Sequence, residues 1–241
     1  LALAAPPNTA KVRAWRSHSV MPWLNRLHAP VTGLLRRHAK VEGQRMVWLE
    51  GGRRGAEPVV LVHGFGASKE NWLPLLPFIS KRFHLFVVDL PGWGESEFCA
   101  DKSYGMDDQV RRLADWLASR KLTPAHVVGS SMGGGIAGLL SARYPHLVRS
   151  VVLISRRHVN EHLFRQLMAN VPDSALPTFI DITGPAFILW GIDDAVLHVS
   201  CADTFQQLIP HARQRRLAGI GHLPMVEAPR VTARILRRFW R

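Results

Sequence analysis

Apolar residues in this chain follow two rhythms. Short, largely apolar runs, several rich in β-branched residues, occupy 58–62, 83–89, 125–128, 150–154 and 185–190. Each is bounded by Gly, Pro or charged residues and is shorter than a buried helix, so each predicts a buried strand. Weaker strand patterns cover 44–49 and 214–217, the first followed by the turn-forming run Glu50-Gly51-Gly52-Arg53-Arg54-Gly55. Elsewhere apolar positions recur every three or four residues. Over 106–120 they are Val110, Leu113, Ala114 and Leu117, with Arg111, Arg112 and Asp115 outside the stripe. The same spacing follows Gly135 as far as Tyr144-Pro145, and recurs over 204–209 and 227–240, so these stretches predict helices. Regular alternation of strand and helix predicts an α/β fold, a mostly parallel central sheet with crossover helices on both faces. Residues 156–183 break the rhythm: 162–168 is helical in pattern, and Pro172 and Pro177 interrupt the residues after it.

Residues 19–38 carry Val20, Trp23, Leu24, Leu27, Val31, Leu34 and Leu35 on one face and Arg26, His28, Arg36 and Arg37 elsewhere. This predicts a basic amphipathic helix, interrupted at Pro30. Two readings stand side by side, a helix lying in a membrane interface and one packed on the domain. The whole chain is basic as well, with a formal net charge of +13. A cluster from Arg213 and Arg215-Arg216 through Arg230, Arg234, Arg237-Arg238 and Arg241 dominates the C-terminal part. Such charge favours contact with anionic surfaces. No nucleic-acid module accompanies the arginines, so an anionic membrane surface is the expected partner and nucleic acid is not.

At 241 residues and 47% hydrophobic content the chain can bury one substantial core. No apolar run reaches transmembrane length. A chain that begins with Leu1 is expected to be a piece of a longer product. Cys99 and Cys201 sit in no metal-ligand pattern, and two thiols or one disulfide both remain open. No cofactor or metal is expected, and the oligomeric state is left open.

Candidate chemistry lies in the loops after the predicted strands. Gly129-Ser130-Ser131-Met132-Gly133 fits the pattern GxSxG between a strand and a helix, where the serine stands exposed on a strained turn. Ser131 is the candidate nucleophile; Ser130 lacks the two-residue offset to both glycines. His63-Gly64-Phe65-Gly66 comes directly after the strand at 58–62. There the backbone N–H of Phe65, with that of Met132 after the nucleophile, can stabilise an oxyanion. A serine hydroxyl needs a base, and His222, set between Gly221 and Pro224, is the best placed of the twelve histidines. The acid that orients it is to be found among Asp194, Asp193 and the more distant Glu161.

Five motifs together resemble the lipase and esterase branch of the α/β-hydrolases: His63-Gly64-Phe65-Gly66, the run from Asp89 through Leu90-Pro91-Gly92-Trp93-Gly94 to Glu95-Ser96, Gly129-Ser130-Ser131-Met132-Gly133-Gly134, Trp190-Gly191-Ile192-Asp193-Asp194 and Gly221-His222-Leu223-Pro224. The resemblance runs from Gln44 to the C-terminus and is strongest to membrane-associated monoacylglycerol lipases and related bacterial lipases. It implies an α/β-hydrolase fold and favours Asp194 as the acid, giving Ser131, Asp194 and His222 in the family's chain order. It further implies a serine carboxylic ester hydrolase that forms an acyl-enzyme and acts on monoacylglycerols or lysophospholipids, associated with a membrane in the periplasm or outside the cell. Carbon–carbon bond hydrolases and proline iminopeptidases share the fold and the nucleophile and are the alternatives, followed by a non-catalytic lipid-surface binding protein. The expected division is an N-terminal extension over 1–42, a hydrolase core over 43–155 and 184–241, and a cap over 156–183. That cap is shorter than the family's usual one. Either the site is open, or residues are missing between Ser155 and Arg156.

Overall fold

The computed structural model describes residues 33–122, 124–154 and 178–241. Eight strands form one open sheet: β1 (Leu35–Val41), β2 (Gln44–Gly52), β3 (Pro58–Val62), β4 (His84–Asp89), β5 (Ala125–Ser130), β6 (Val148–Ile154), β7 (Ala186–Gly191) and β8 (Arg213–Leu217). Their order is β1-β2-β4-β3-β5-β6-β7-β8. The pairs β1 with β2 and β2 with β4 are antiparallel, and from β4 to β8 every pair is parallel. The helices are α1 (Met106–Ser119), α2 (Met132–Arg143), α3 (Cys201–Leu208), α4 (Pro224–Glu227) and α5 (Pro229–Phe239).

The near-continuous apolar runs are explained by burial on both faces, as parallel strands require. On β3, Val60 and Val62 point into one layer, where α1, α2 and α3 pack with Trp48 and Trp116. Val59 and Leu61 point into the other, built from Trp72, Phe83, Leu236 and Trp240. The connection from β3 to β4 crosses this second layer through 3-10 turns at Lys69–Trp72 and Leu76–Phe78, whereas β5 leads into α2 on the first. Chain connections therefore leave β3 and β5 toward opposite faces. That divergence opens a crevice at their carboxyl ends, where open sheets of this kind bind ligands.

One expectation needs correction. Leu35–Val41 is a strand rather than the end of a helix, and it carries the sheet into the segment assigned to the N-terminal extension. The reason is the tight turn after it: Glu42 and Gly43 both have positive φ, 49° and 82°, the conformation that joins two antiparallel strands through a two-residue loop. The C-terminal helix expected over 227–240 is α5, which starts at Pro229 and is preceded by the separate short helix α4. Residues 19–32 of the predicted basic helix, Glu161 and all but the end of the predicted cap lie outside the described residues.

A buried ionic knot fixes the loops after β3 and β4, on one side of the crevice. Asp89, at the end of β4, is fully buried and accepts hydrogen bonds from Lys69 Nζ at 2.7 Å and from the backbone N–H groups of Lys69 and Glu95 at 2.8 and 2.9 Å. Glu70 and Glu95 also contact the Lys69 ammonium, at 2.8 and 2.7 Å, and Arg36 on β1 reaches Glu95 at 3.0 Å. Burial alone would favour a neutral Lys69, but Asp89 and Glu70 outweigh it and hold its pKa above the usual lysine value. Removing one member of a buried pair strands its partner. Lys69→Met is therefore expected to cost about 3–5 kcal/mol in equilibrium urea unfolding. A loss within about 1 kcal/mol would show the knot to be worth no more than a surface pair.

Candidate active site

The serine turn is dictated by steric exclusion. Ser131 has φ 59° and ψ −123°, a strained conformation for a residue with a side chain. Its N–H donates to the Ile154 carbonyl of β6 at 2.8 Å, and its own carbonyl accepts the N–H of Gly135 at 3.0 Å, opening α2. A Cβ on Gly129 would fall on the carbonyl of Gly133, and one on Gly133 would fall on the carbonyls of Val62 and His63. A Cβ on Gly64 would sit 3.0 Å from the Ser131 Cβ and 3.4 Å from its Oγ. The glycine spacing read in the sequence is thus the spacing at which backbones touch. Ser131 is half-buried at the crevice, while Ser130 is buried at the end of β5. Met132 begins α2, where the first N–H groups have no intrahelical acceptor.

Asp194 and His222 meet because the loops after β7 and β8 are stitched together. Ile192 N–H donates to the Leu217 carbonyl at 2.8 Å and Asp193 N–H to that of Ile220 at 3.0 Å. Asp194 Oδ1 accepts the N–H groups of Val196 and Leu197 at 2.9 and 3.1 Å, which aims Oδ2 at His222 Nδ1, 3.2 Å away. Both side chains are buried. A carboxylate only accepts, so this contact puts the proton on Nδ1 and leaves Nε2 as the basic nitrogen. Asp193 is exposed, so of the two neighbouring aspartates the structure brings Asp194 to the histidine.

Two residues that sequence reasoning passed over support this arrangement. Glu227 accepts the N–H groups of Gly221 at 2.7 Å and Leu223 at 2.9 Å, bracketing the backbone of His222. Its signal was an acidic side chain five positions after the histidine, at the end of a short helix. His63 is buried; its Nδ1–H donates to the Gly64 carbonyl at 2.8 Å and its Nε2 accepts the Leu90 N–H at 3.1 Å. The Gly64 carbonyl and the Phe65 N–H belong to one trans peptide and point in opposite directions. Holding the carbonyl therefore also orients the N–H. Burial pushes the His63 pKa below its ordinary value, an effect only partly offset by Asp89 and the Gly64 carbonyl, which keeps the ring in the neutral form this pattern needs.

These groups converge on a cleft of about 260 Å³ whose lining includes His63, Gly64, Phe65, Ser131, His222 and Met225. Phe65 stands 53% exposed at this cleft, its ring edge-on to Trp93 at 4.9 Å. No Lys, Arg, Asp or Glu is among the described residues of the lining. Among the described residues no three His, Cys, Asp or Glu side chains group as metal ligands, and Cys99 and Cys201 are free thiols.

Comparison with known proteins agrees with this fold. The chain is 27% identical to monoacylglycerol lipase ABHD6 of Bos taurus over 277 residues, covering 86% of this chain and 82% of that protein. It is 24% identical to lipase 1 of Psychrobacter immobilis, with 79% of each chain covered. The bovine alignment is longer than this 241-residue chain, so that relative has residues without a counterpart here. Among solved structures, a bacterial membrane phospholipase A superposes with a TM-score of 0.82 at 26% identity, over 90% of this chain and 89% of its own. A serine hydrolase involved in carbazole degradation superposes with a TM-score of 0.73 at 22% identity, over 86% of this chain and 98% of its own, a likeness of fold. The sequence profile of the α/β hydrolase fold matches residues 57–181, more than half the chain and the part that runs through β3, the serine turn and β6. On that match, the protein belongs to the α/β hydrolase fold family.

Proposed function

We propose that the protein is a serine carboxylic ester hydrolase that cleaves lipid-like esters, such as monoacylglycerols or lysophospholipids, through an acyl-enzyme on Ser131. The observation that carries this reading is the 3.2 Å contact between Asp194 and His222 beside the cleft that Ser131 lines. In the reaction, His222 Nε2 takes the Ser131 hydroxyl proton as Oγ attacks the ester carbonyl. Asp194 stabilises the imidazolium that forms. The N–H groups of Phe65 and Met132 receive the oxyanion, and the positive end of α2 adds to their effect. His222 then returns the proton to the departing alcohol. Water, deprotonated by the same histidine, attacks the acyl-enzyme and releases the fatty acid.

Two features support a lipid-like substrate. The described cleft lining is partly apolar, through Phe65, Ala67, Leu223 and Met225, and carries no side chain of fixed charge. Such a site suits an ester that is uncharged around the scissile bond. The relatives named as lipases supply the second support. Membrane association is a proposal separate from the reaction, and no described helix is long and apolar enough to cross a membrane.

Substitution separates these roles. Ser131→Ala is expected to lower kcat for a chromogenic ester by at least about a thousandfold and to abolish labelling by a fluorophosphonate probe. Retained hydrolysis in the purified variant would refute the assignment. Asp194→Asn is expected to lower kcat by about ten-thousandfold through the wrong imidazole tautomer, with Asp193→Asn near wild type; the reverse ranking would move the acid to Asp193.

His63 is expected to act as a positioning residue. His63→Leu should lower kcat by about a hundredfold, the usual effect of losing one oxyanion donor, with KM little changed. His63→Asn, whose amide stands where Nδ1 does, should retain most of the activity. Equal losses in the two variants would exclude the hydrogen bond as the cause. The pH dependence of stability has a definite sign. Below the ordinary value of 6.5 the unfolded chain binds a proton that folded His63 refuses, so its contribution to stability is lost as pH falls from there toward the lowered folded pKa. Thermal midpoints across that range should fall less steeply in His63→Asn than in wild type.

A further inference from the structure

The outer face of α5 carries arginines that no described carboxylate neutralises. Its inner face buries Thr232, Ala233 and Leu236 against the sheet. The following Trp240 is wedged between Phe83 and His126, with ring centroids at 4.9 and 5.1 Å, which fixes the far end of the helix. Arg230, Arg234, Arg237, Arg238 and Arg241 are all exposed on the opposite side. Spacings of three and four place them along one stripe, close enough to repel one another.

Neighbouring segments widen the stripe. A groove of about 360 Å³ beside the turn at Leu76–Phe78 adds Lys81 and Arg82 to Arg230, Arg234 and Arg237. A groove of about 450 Å³ between α5 and β8 adds Arg213 and Arg215. No Asp or Glu lines either groove, and none of these cations forms an ion pair with a described carboxylate. The grooves have apolar floors: Phe187, Ile235 and Phe239 in one, Pro77 and Phe78 in the other. Arg230 lies over the Phe78 ring at 5.6 Å.

We propose that this arginine-bearing face of α5, with Lys81, Arg82 and the β8 arginines beside it, docks the protein on an anionic lipid surface. Charge complementarity selects the anion, since clustered like charges that no described carboxylate pairs are stabilised by an external one. The apolar floors between the arginines select lipid over nucleic acid: they accept the glycerol and upper acyl region below a headgroup, whereas a phosphodiester backbone offers them nothing to bury. The docking face is separate from the cleft and does not rest on the hydrolase reading. Its test reads partitioning rather than turnover, so either proposal can fail alone.

The experiment is co-sedimentation of the full chain with vesicles of phosphatidylcholine, with and without phosphatidylglycerol. Binding is expected only to the anionic vesicles and should weaken as salt is raised. Arg234→Glu combined with Arg237→Glu and Arg238→Glu should reduce the partition coefficient by about a hundredfold. The corresponding triple Lys variant should retain binding. Thermal midpoints report whether each variant is folded. If the triple Glu variant is not, Arg237→Gln with Arg241→Gln carries the test, with an expected loss of about tenfold. Equal binding to neutral vesicles, or wild-type partitioning of the folded charge variants, would overturn the proposal.

Discussion

Ser131 is held at φ 59° and ψ −123°, a conformation that costs a residue with a side chain on the order of 1–3 kcal/mol and persists only where its surroundings impose it. Here they do so by contact. Gly129 and Gly133 touch backbone to backbone, Gly133 also meets the carbonyls at the end of β3, and Gly64 lies against the serine side chain. The same contacts that hold the strain bring β3, β5 and the start of α2 to one point. The divergence of connections at β3 and β5 places the cleft at that same point.

A second layer of order ties the loops to this point. His63 joins the loop after β3 to Leu90, and the Lys69–Asp89 knot joins the same two loops one step further out. Both are buried polar arrangements in which each member supplies what its partner lacks, so neither loop can shift without leaving a polar group unsatisfied. On the other side of the cleft, Glu227 and the contacts between the loops after β7 and β8 act in the same way on His222. Two rigid walls thus face one another across Ser131.

Much of this was legible in the sequence because steric rules leave local marks. The parallel strands appear as apolar runs, and the serine turn requires its flanking glycines. The choice between Asp193 and Asp194 was not local: two adjacent carboxylates look alike until the hydrogen bonds from Val196 and Leu197 turn one of them inward. Strand β1 was hidden for a different reason. Leu34 and Leu35 prolong a helical spacing begun upstream, and the stronger signal was the turn at Glu42-Gly43 that pairs β1 with β2. His63 and Glu227 act through backbone groups of their neighbours, and such roles leave no pattern in side-chain spacing.

The sheet is open, and the strands at its two ends are unlike those within it. β1 exposes Arg36, Arg37 and Lys40, and β8 exposes Arg213 and Arg215. An end strand offers unpaired backbone groups along one side, a template on which another chain can add. Here any such addition between copies, first strand to first, last to last, or first to last, would set rows of positive charge against each other. The basic character of the chain therefore also protects it from growth into extended sheet aggregates, and polyanions in solution, by cancelling that charge, would weaken the protection.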